Sequence, residues 1–178
     1  MRTITLYSAM SLDGYIARPD GNIDWLNNYP NPENLDYGYT KFIAGIDTTL
    51  MGNKTYQLVI SFNIPWPYPD KTNYVFTRSS AHTDTEYVRF ISGDIIAFVK
   101  ALQQQPGDSI WLIGGGEINS LLLQHDLIDE LIIHVIPVVL GRGIPLFNGE
   151  VDLEKQFQLV ATHSYGSVLE LNYSSTGI

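Results

Sequence analysis

Three short stretches place glycine, hydroxyl and basic side chains where an apolar strand gives way to a helical pattern. In the first, Ile113-Gly114-Gly115-Gly116-Glu117-Ile118 follows the apolar run Trp111–Ile113, and Ile118, Leu121 and Leu122 then recur on one helical face. Free N–H groups at a helix start carry partial positive charge, and glycine admits an anion to them without a Cβ in the way. The turn is not the dinucleotide fingerprint of the doubly wound fold, because Asn119 stands where a third small residue would fall, and no Gly-Lys-Ser/Thr follows to make it a P-loop. A pyrophosphate is the ligand it suits; a tight turn without a ligand is the plain alternative.

The second stretch, Met51-Gly52-Asn53-Lys54-Thr55, ends a strand in glycine and opens a helix with a base and a hydroxyl. The third, Phe76-Thr77-Arg78-Ser79-Ser80, ends a strand in hydroxyls around a guanidinium, a set suited to charge-assisted bonds to a phosphate. Taken singly, each is an ordinary solvated turn. Taken together, they give three strand C-termini able to converge on one phosphorylated ligand in the crevice of an α/β sheet.

Acid–base candidates are few. Asp36 opens a helical segment fifteen residues before Met51 and is read either as a substrate-binding acid or as a helix-initiating one. Asp24, beside Trp25 in a long loop, is the next carboxylate. His134 lies within the apolar run Leu131–Val139 and reads as a satisfied core or pocket-lining histidine before an acid. His82, His125 and His163 have no metal-ligand spacing, so no metal is expected.

The elements that must position these residues alternate. Strands are expected at Thr3–Ala9, Thr48–Met51, Asn73–Thr77, Glu86–Phe90, Ser109–Ile113 and Glu130–Val139, with helices at Leu35–Ala44, from Lys54, at Ile95–Gln104 and at Glu117–Gln124. A hairpin around Gly166 closes the chain from Phe157 to Tyr173. Such a series predicts an α/β fold with a central, mostly parallel sheet flanked by helices and a C-terminal antiparallel hairpin. The segment Arg18–Asn34, rich in Gly, Pro, Asn and Asp, is a candidate lid.

Composition bounds the partners. The 178 residues suit a single domain over 1–178, and 44% hydrophobic residues supply its core. Ten Lys and Arg against nineteen Asp and Glu give a net charge of -9, which opposes nucleic-acid binding while leaving room for a small anion in a local nest of donors. With no cysteine there is no disulfide or thiolate chemistry, and no apolar run reaches membrane-spanning length. A cytoplasmic protein that binds a small molecule, with neither membrane nor nucleic acid as partner, is the expectation. The apolar stretch Leu131–Leu140 makes a homodimer the expected assembly.

Nearly the whole chain resembles the dihydrofolate-reductase-like superfamily, and within it stand-alone relatives of the C-terminal reductase domain of the bifunctional riboflavin-biosynthesis deaminase–reductase. Ser8–Ala17 (SAMSLDGYIA) is similar to the first strand and lid entry, Met51–Tyr56 to a cofactor turn, Phe76–Ser80 to the adenosine-phosphate grip and Leu112–Ile118 to the pyrophosphate turn. Asp126–Phe147 (DLIDELIIHVIPVVLGRGIPLF) is the most specific of these blocks. The resemblance implies NADPH as cofactor and a cis peptide at Gly114-Gly115. It further implies that Ala9 and Ile16 border the nicotinamide, that Gly52, Lys54 and Thr55 face the phosphates, and that Thr77, Arg78 and Ser79 hold the 2′-phosphate. Ile113, Gly114, Gly115, Gly116, Glu117 and Ile118 would hold the pyrophosphate, and Asp36 would be the catalytic acid.

The chain departs from both parent activities. Thr40 and Asn119 stand where dihydrofolate reductases have an aromatic residue and a tyrosine, and Gly114 stands where the riboflavin-pathway reductase has a substrate-gripping glutamate. The expected activity is therefore NADPH-dependent hydride transfer to a small heterocyclic or imine/carbonyl substrate, in the manner of 5-amino-6-(5-phosphoribosylamino)uracil reductase. Dihydrofolate reductase activity and nucleotide binding without turnover are the alternatives.

Overall fold

The computed structural model describes residues 1–149 and 154–176, so positions 150–153 and 177–178 of the expected single domain lie outside the described residues. Its strands are β1 (Ile4–Ser11), β2 (Tyr15–Ala17), β3 (Ile46–Gly52), β4 (Thr72–Phe76), β5 (Val88–Ile91), β6 (Ser109–Gly114), β7 (Glu130–Ile136), β8 (Ile144–Pro145), β9 (Phe157–Tyr165) and β10 (Val168–Ser175). The helices are α1 (Asp24–Asn27), α2 (Tyr39–Ala44), α3 (Asn53–Ser61), α4 (Ile95–Gln103) and α5 (Gly116–Gln124). Eight strands form one sheet in the order β5-β4-β3-β6-β1-β7-β10-β9. The first six run parallel, whereas β10 pairs antiparallel with both β7 and β9. This is the expected α/β fold with its closing hairpin, turned at Gly166 with φ +61°.

Successive residues of the central strands serve opposite faces, as the two-residue period of a strand requires. Leu50 and Phe76 enter the main core with Leu6, Ile110, Leu112, Val99 and Leu122, whereas Met51 and Val75 join Val88, Tyr56 and Trp66 on the other side. Because both faces of the sheet are covered, β6 reads as a nearly unbroken apolar run, whereas β1 and β3 also bury polar Thr5, Ser11, Thr48 and Thr49.

Two element boundaries differ from the sequence reading for a backbone reason. The helix expected from Leu35 starts only at Tyr39, because Tyr37 at φ +51° and Gly38 at φ +79° hold the left-handed region that a right-handed helix cannot include. The strand expected through Val139 stops at Ile136, before Pro137, which has no N–H to give the ladder. That strand is enclosed between β1 and β10 in the sheet. The candidate lid contains a short helix: α1 carries Trp25, only 6% exposed, into a cluster with Ile136 and Val168. Among the described residues no helix is long and apolar enough to cross a membrane.

Candidate active site

Neighbouring strands β4, β3 and β6 end side by side, Gly52 opposite Phe76 and Met51 opposite Gly114, and this register brings the three turns together. The Gly114-Gly115 peptide is cis, as the resemblance implies. A Cβ on Gly115 would lie 3.4 Å from Thr55 Oγ1 and 4.0 Å from Ile16 Cδ1, so the bare glycine leaves a gap between those two side chains. Gly52 lies against Ile118, where a Cβ would meet Cγ1 at 3.2 Å. A Cβ on Gly116 would reach 2.5 Å from the Pro145 carbonyl, so this glycine serves close packing against β8.

Helices α3 and α5 begin at Gly52 and Gly115 with no side-chain cap on either N-terminus. The first N–H groups of a helix have no intrahelical partner and attract negative charge. Two such starts flanking a glycine gap are the donor arrangement a pyrophosphate needs.

Cationic groups gather on one carboxylate at the mouth of this crevice. Glu117 accepts from Lys54 Nζ at 3.0 Å and from Arg78 Nη2 at 2.8 Å. The Lys54 hydrogen bond holds the Glu117 carboxyl below its ordinary range; burial opposes this only in part, and the charges of Lys54 and Arg78 add to it. The Arg78 side chain is 92% exposed and spends one donor on Glu117, so most of its fork stays available to a ligand. Thr77 is buried and its Oγ1 accepts from Ser79 N at 3.1 Å, which shapes the turn that projects Arg78. Ile16, Thr55 and Gly115 thus lie together, as do Gly52 with Ile118 and Lys54 and Arg78 with Glu117, while Thr77 and Ser79 shape the Arg78 turn and Ile113 packs with Met51 and Val75.

Ala9 belongs to a second region, a cavity of about 360 Å³ walled by Tyr7, Tyr37, Tyr39, His134 and Ile136 and bounded by Leu26, Tyr29 and Asn31. Residues of the candidate lid therefore form one of its sides. Tyr7 stacks on Phe42 with ring centroids 4.2 Å apart and lies 5.0 Å from the His134 ring. Burial, and next to it the charge of Glu170, push the Tyr7 hydroxyl well above the usual tyrosine range, so it stays protonated.

Asp36 lies exposed on the cavity wall, with both carboxylate oxygens already in use. Oδ1 accepts from Gly38 N at 3.0 Å and Oδ2 from Thr40 N at 3.1 Å, which caps α2. Its Thr40 hydrogen bond, with that of Gly38, keeps the carboxyl below its ordinary range and therefore ionised. Asp24, the other carboxylate considered, pairs with Arg18 at 2.6 Å and is not among the cavity's lining residues.

The matched family model covers residues 2–171 and describes the RibD C-terminal domain. The chain belongs to that family. It is 44% identical over 172 residues to the uncharacterized protein YwjB of Bacillus subtilis (strain 168), a match that covers 97% of each chain. Its structure is similar to that of a candidate riboflavin biosynthesis protein from Shewanella sp. PV-4, with a TM-score of 0.88 and 32% identity over 99% of this chain and all of the other. Dihydrofolate reductase from Enterococcus faecalis, solved with NADP(H), shares the fold at a TM-score of 0.69 and 17% identity, covering 98% of this chain and 97% of that one. The RibD-type family and the dihydrofolate-reductase-like fold agree with the resemblance read from the motifs.

Sequence reasoning missed the cavity's aromatic wall and the residue behind it, Glu170. This glutamate is 7% exposed and accepts from His134 Nε2 at 3.1 Å, His163 Nδ1 at 3.0 Å and Asn172 Nδ2 at 2.7 Å. The available signal was His134 itself, since a histidine inside an apolar strand needs a polar partner.

Proposed function

We propose that the protein is an NADPH-dependent reductase of the riboflavin-pathway type, reducing a C=N or C=O bond of a small heterocycle. The observation that carries this reading is the pairing of two regions: a crevice of uncapped helix starts, glycines and cations, and an aromatic cavity that begins at Ala9. The cofactor, when bound, supplies a hydride. The gap at Gly115 and the starts of α3 and α5 would hold its pyrophosphate, and Arg78 with Lys54 its 2′-phosphate. Ile16 and Ala9 would border its nicotinamide.

The chain's own contribution is orientation in a partly dry site. Tyr7, Tyr37 and Tyr39 offer flat faces to a ring, and the ionised Asp36 is suited to accept an N–H from that ring instead of donating a proton. Membership of the RibD C-terminal domain family points to an aminopyrimidine, and the absence of a glutamate at Gly114 points to a different grip on it. The test is the loss of reduced-nicotinamide absorbance with 5-amino-6-(5-phosphoribosylamino)uracil and with dihydrofolate. Turnover of the first supports the reading, turnover of dihydrofolate alone shifts it to folate reduction, and cofactor binding with no turnover leaves a nucleotide-binding protein.

A further inference from the structure

Reducing a C=N or C=O bond requires a proton as well as a hydride, and neither Tyr7 nor Asp36 is fit to give one near neutral pH. Tyr7 holds its proton too tightly, through burial and the charge of Glu170, and Asp36 has already lost its own. A different row of side chains crosses the sheet beside the cavity. Ala9 on β1 is in register with His134 on β7, His134 with Glu170 on β10, and Glu170 with His163 on β9. The row runs from the residue expected to border the nicotinamide to the outer strand, where the His163 side chain is 57% exposed.

The tautomer of His134 follows from its partners. Nε2 lies 2.9 Å from the Tyr37 carbonyl oxygen and 3.1 Å from Glu170 Oε2. A carbonyl can only accept, so Nε2 carries the hydrogen. Nδ1 makes no hydrogen bond among the described residues, on a ring that lines the cavity. The backbone is built to hold this arrangement: Tyr37 at φ +51° turns its carbonyl to the ring, and a Cβ on Gly38 would meet Glu170 Oε2 at 3.3 Å and Tyr165 Oη at 2.9 Å.

We propose that His134 is the proton donor of the reduction, through Nδ1, and that Glu170 is the positioning residue that fixes its tautomer and balances its charge. This inference rests on the reductase reading. A hydride from the reduced nicotinamide, which is thereby oxidised, adds to the carbon of the C=N or C=O bond. The π pair moves onto the heteroatom, which takes the proton that the doubly protonated His134 ring carries on Nδ1; the N–H bonding pair stays on the ring, which is left neutral with its hydrogen on Nε2. Solvent then returns one proton to Nδ1 for each turnover.

Histidine is the side chain whose ordinary titration falls in the neutral range. The groups that face it from the packed elements are Tyr7 on β1, Asp36 and Tyr37 ahead of α2, His163 and Tyr165 on β9, and Glu170 on β10. Because the donor must be protonated, kcat/KM is expected to fall as pH rises.

The experiment pairs kinetics with a nitrogen-15 spectrum of the histidine rings. His134→Gln keeps a side-chain N–H near the Nε2 position and removes the transferable proton; it is expected to lower kcat/KM for 5-amino-6-(5-phosphoribosylamino)uracil roughly 100-fold, to remove the fall with pH and to leave NADPH affinity unchanged. Glu170→Gln, which retains an acceptor oxygen, should keep most activity at low pH and move the fall to lower pH. The ring spectrum of the unmodified protein should show the neutral His134 ring with its hydrogen on Nε2 and, on acidification, a second proton on Nδ1. A His134→Gln variant within a few-fold of the unmodified protein and with the same pH profile overturns the proposal, as does a ring protonated on Nδ1 alone; both leave the reductase reading standing. Failure of the unmodified protein to oxidise NADPH with either probe substrate overturns both.

Discussion

At the N-terminal edge of the parallel sheet, where β1, β3 and β6 begin, the buried Arg2 guanidinium pairs with Asp47 and donates to Thr48 Oγ1 and to the Asp108 carbonyl, each at 2.7 Å. Asp129 takes the Ile4 N–H at 2.7 Å on the same edge. At the C-terminal edge of β3 and β6, Gly52 and Gly115 start α3 and α5 with no side-chain cap. One edge spends its polar groups on itself and the other leaves two helix starts without a side-chain cap. Helix α4, which follows the outermost strand β5, shows that the difference is local: Asp94 caps it, accepting from Ala97 N at 2.9 Å. An uncapped helix start is a cost that a ligand can offset, so its position beside the glycine turns carries functional information.

The comparison breaks if the closed edge affects binding or the open edge governs stability. The largest effect is expected from Arg2→Ala, which takes the buried guanidinium away from Asp47, Thr48 and the Asp108 carbonyl and leaves Asp47 only its bonds from Thr48 Oγ1 and Asp108 N. Because Asp47 is partly exposed, the loss should be about 2–3 kcal/mol, read by denaturant unfolding, with cofactor affinity of the folded protein unchanged. Gly115→Ala puts a methyl between Thr55 and Ile16 at ordinary contact distance, so the fold should hold while the dissociation constants of NADPH and NADH rise together by roughly tenfold or more. Calorimetric titration checks the second result, and thermal unfolding checks that the protein is intact.

Two smaller effects sharpen the contrast. Arg78→Ala should weaken NADPH about tenfold and NADH hardly at all, the low end for a charged contact because the side chain is so exposed. The NADPH preference of the unmodified protein should shrink as salt is added. Equal losses for both cofactors would place Arg78 away from the 2′-phosphate. Asp94→Ala, at the capped helix, should cost about 1 kcal/mol of stability and leave both dissociation constants alone.

The open edge was more legible in the sequence than the cavity. Glycine and basic residues directly after apolar runs mark strand-to-helix turns by local chemistry, so Gly52, Arg78 and Gly114 to Gly116 could be placed without the fold. The cavity depends on register between strands far apart in the chain, and no local pattern reports that. Along β10 the alternation even misleads: Leu169 is exposed and Glu170 buried, because Gly38 ahead of α2 packs against the Glu170 carboxylate while His134, His163 and Asn172 supply its polar partners. The ribbon of β2 with β8 was invisible for another reason, since strands of three and two residues are too short to show a period. The late start of α2 follows from the left-handed turn at Tyr37 and Gly38, which a non-glycine residue gives no warning of.

The central claim is that the open edge is a nicotinamide-dinucleotide site, and its most direct test is calorimetric titration of the unmodified protein with NADPH and NADH in low salt. Saturable binding of one cofactor per chain, tighter for NADPH than for NADH and weakened in Gly115→Ala, is the predicted result. No binding of either dinucleotide, or binding that Gly115→Ala leaves untouched, would contradict it.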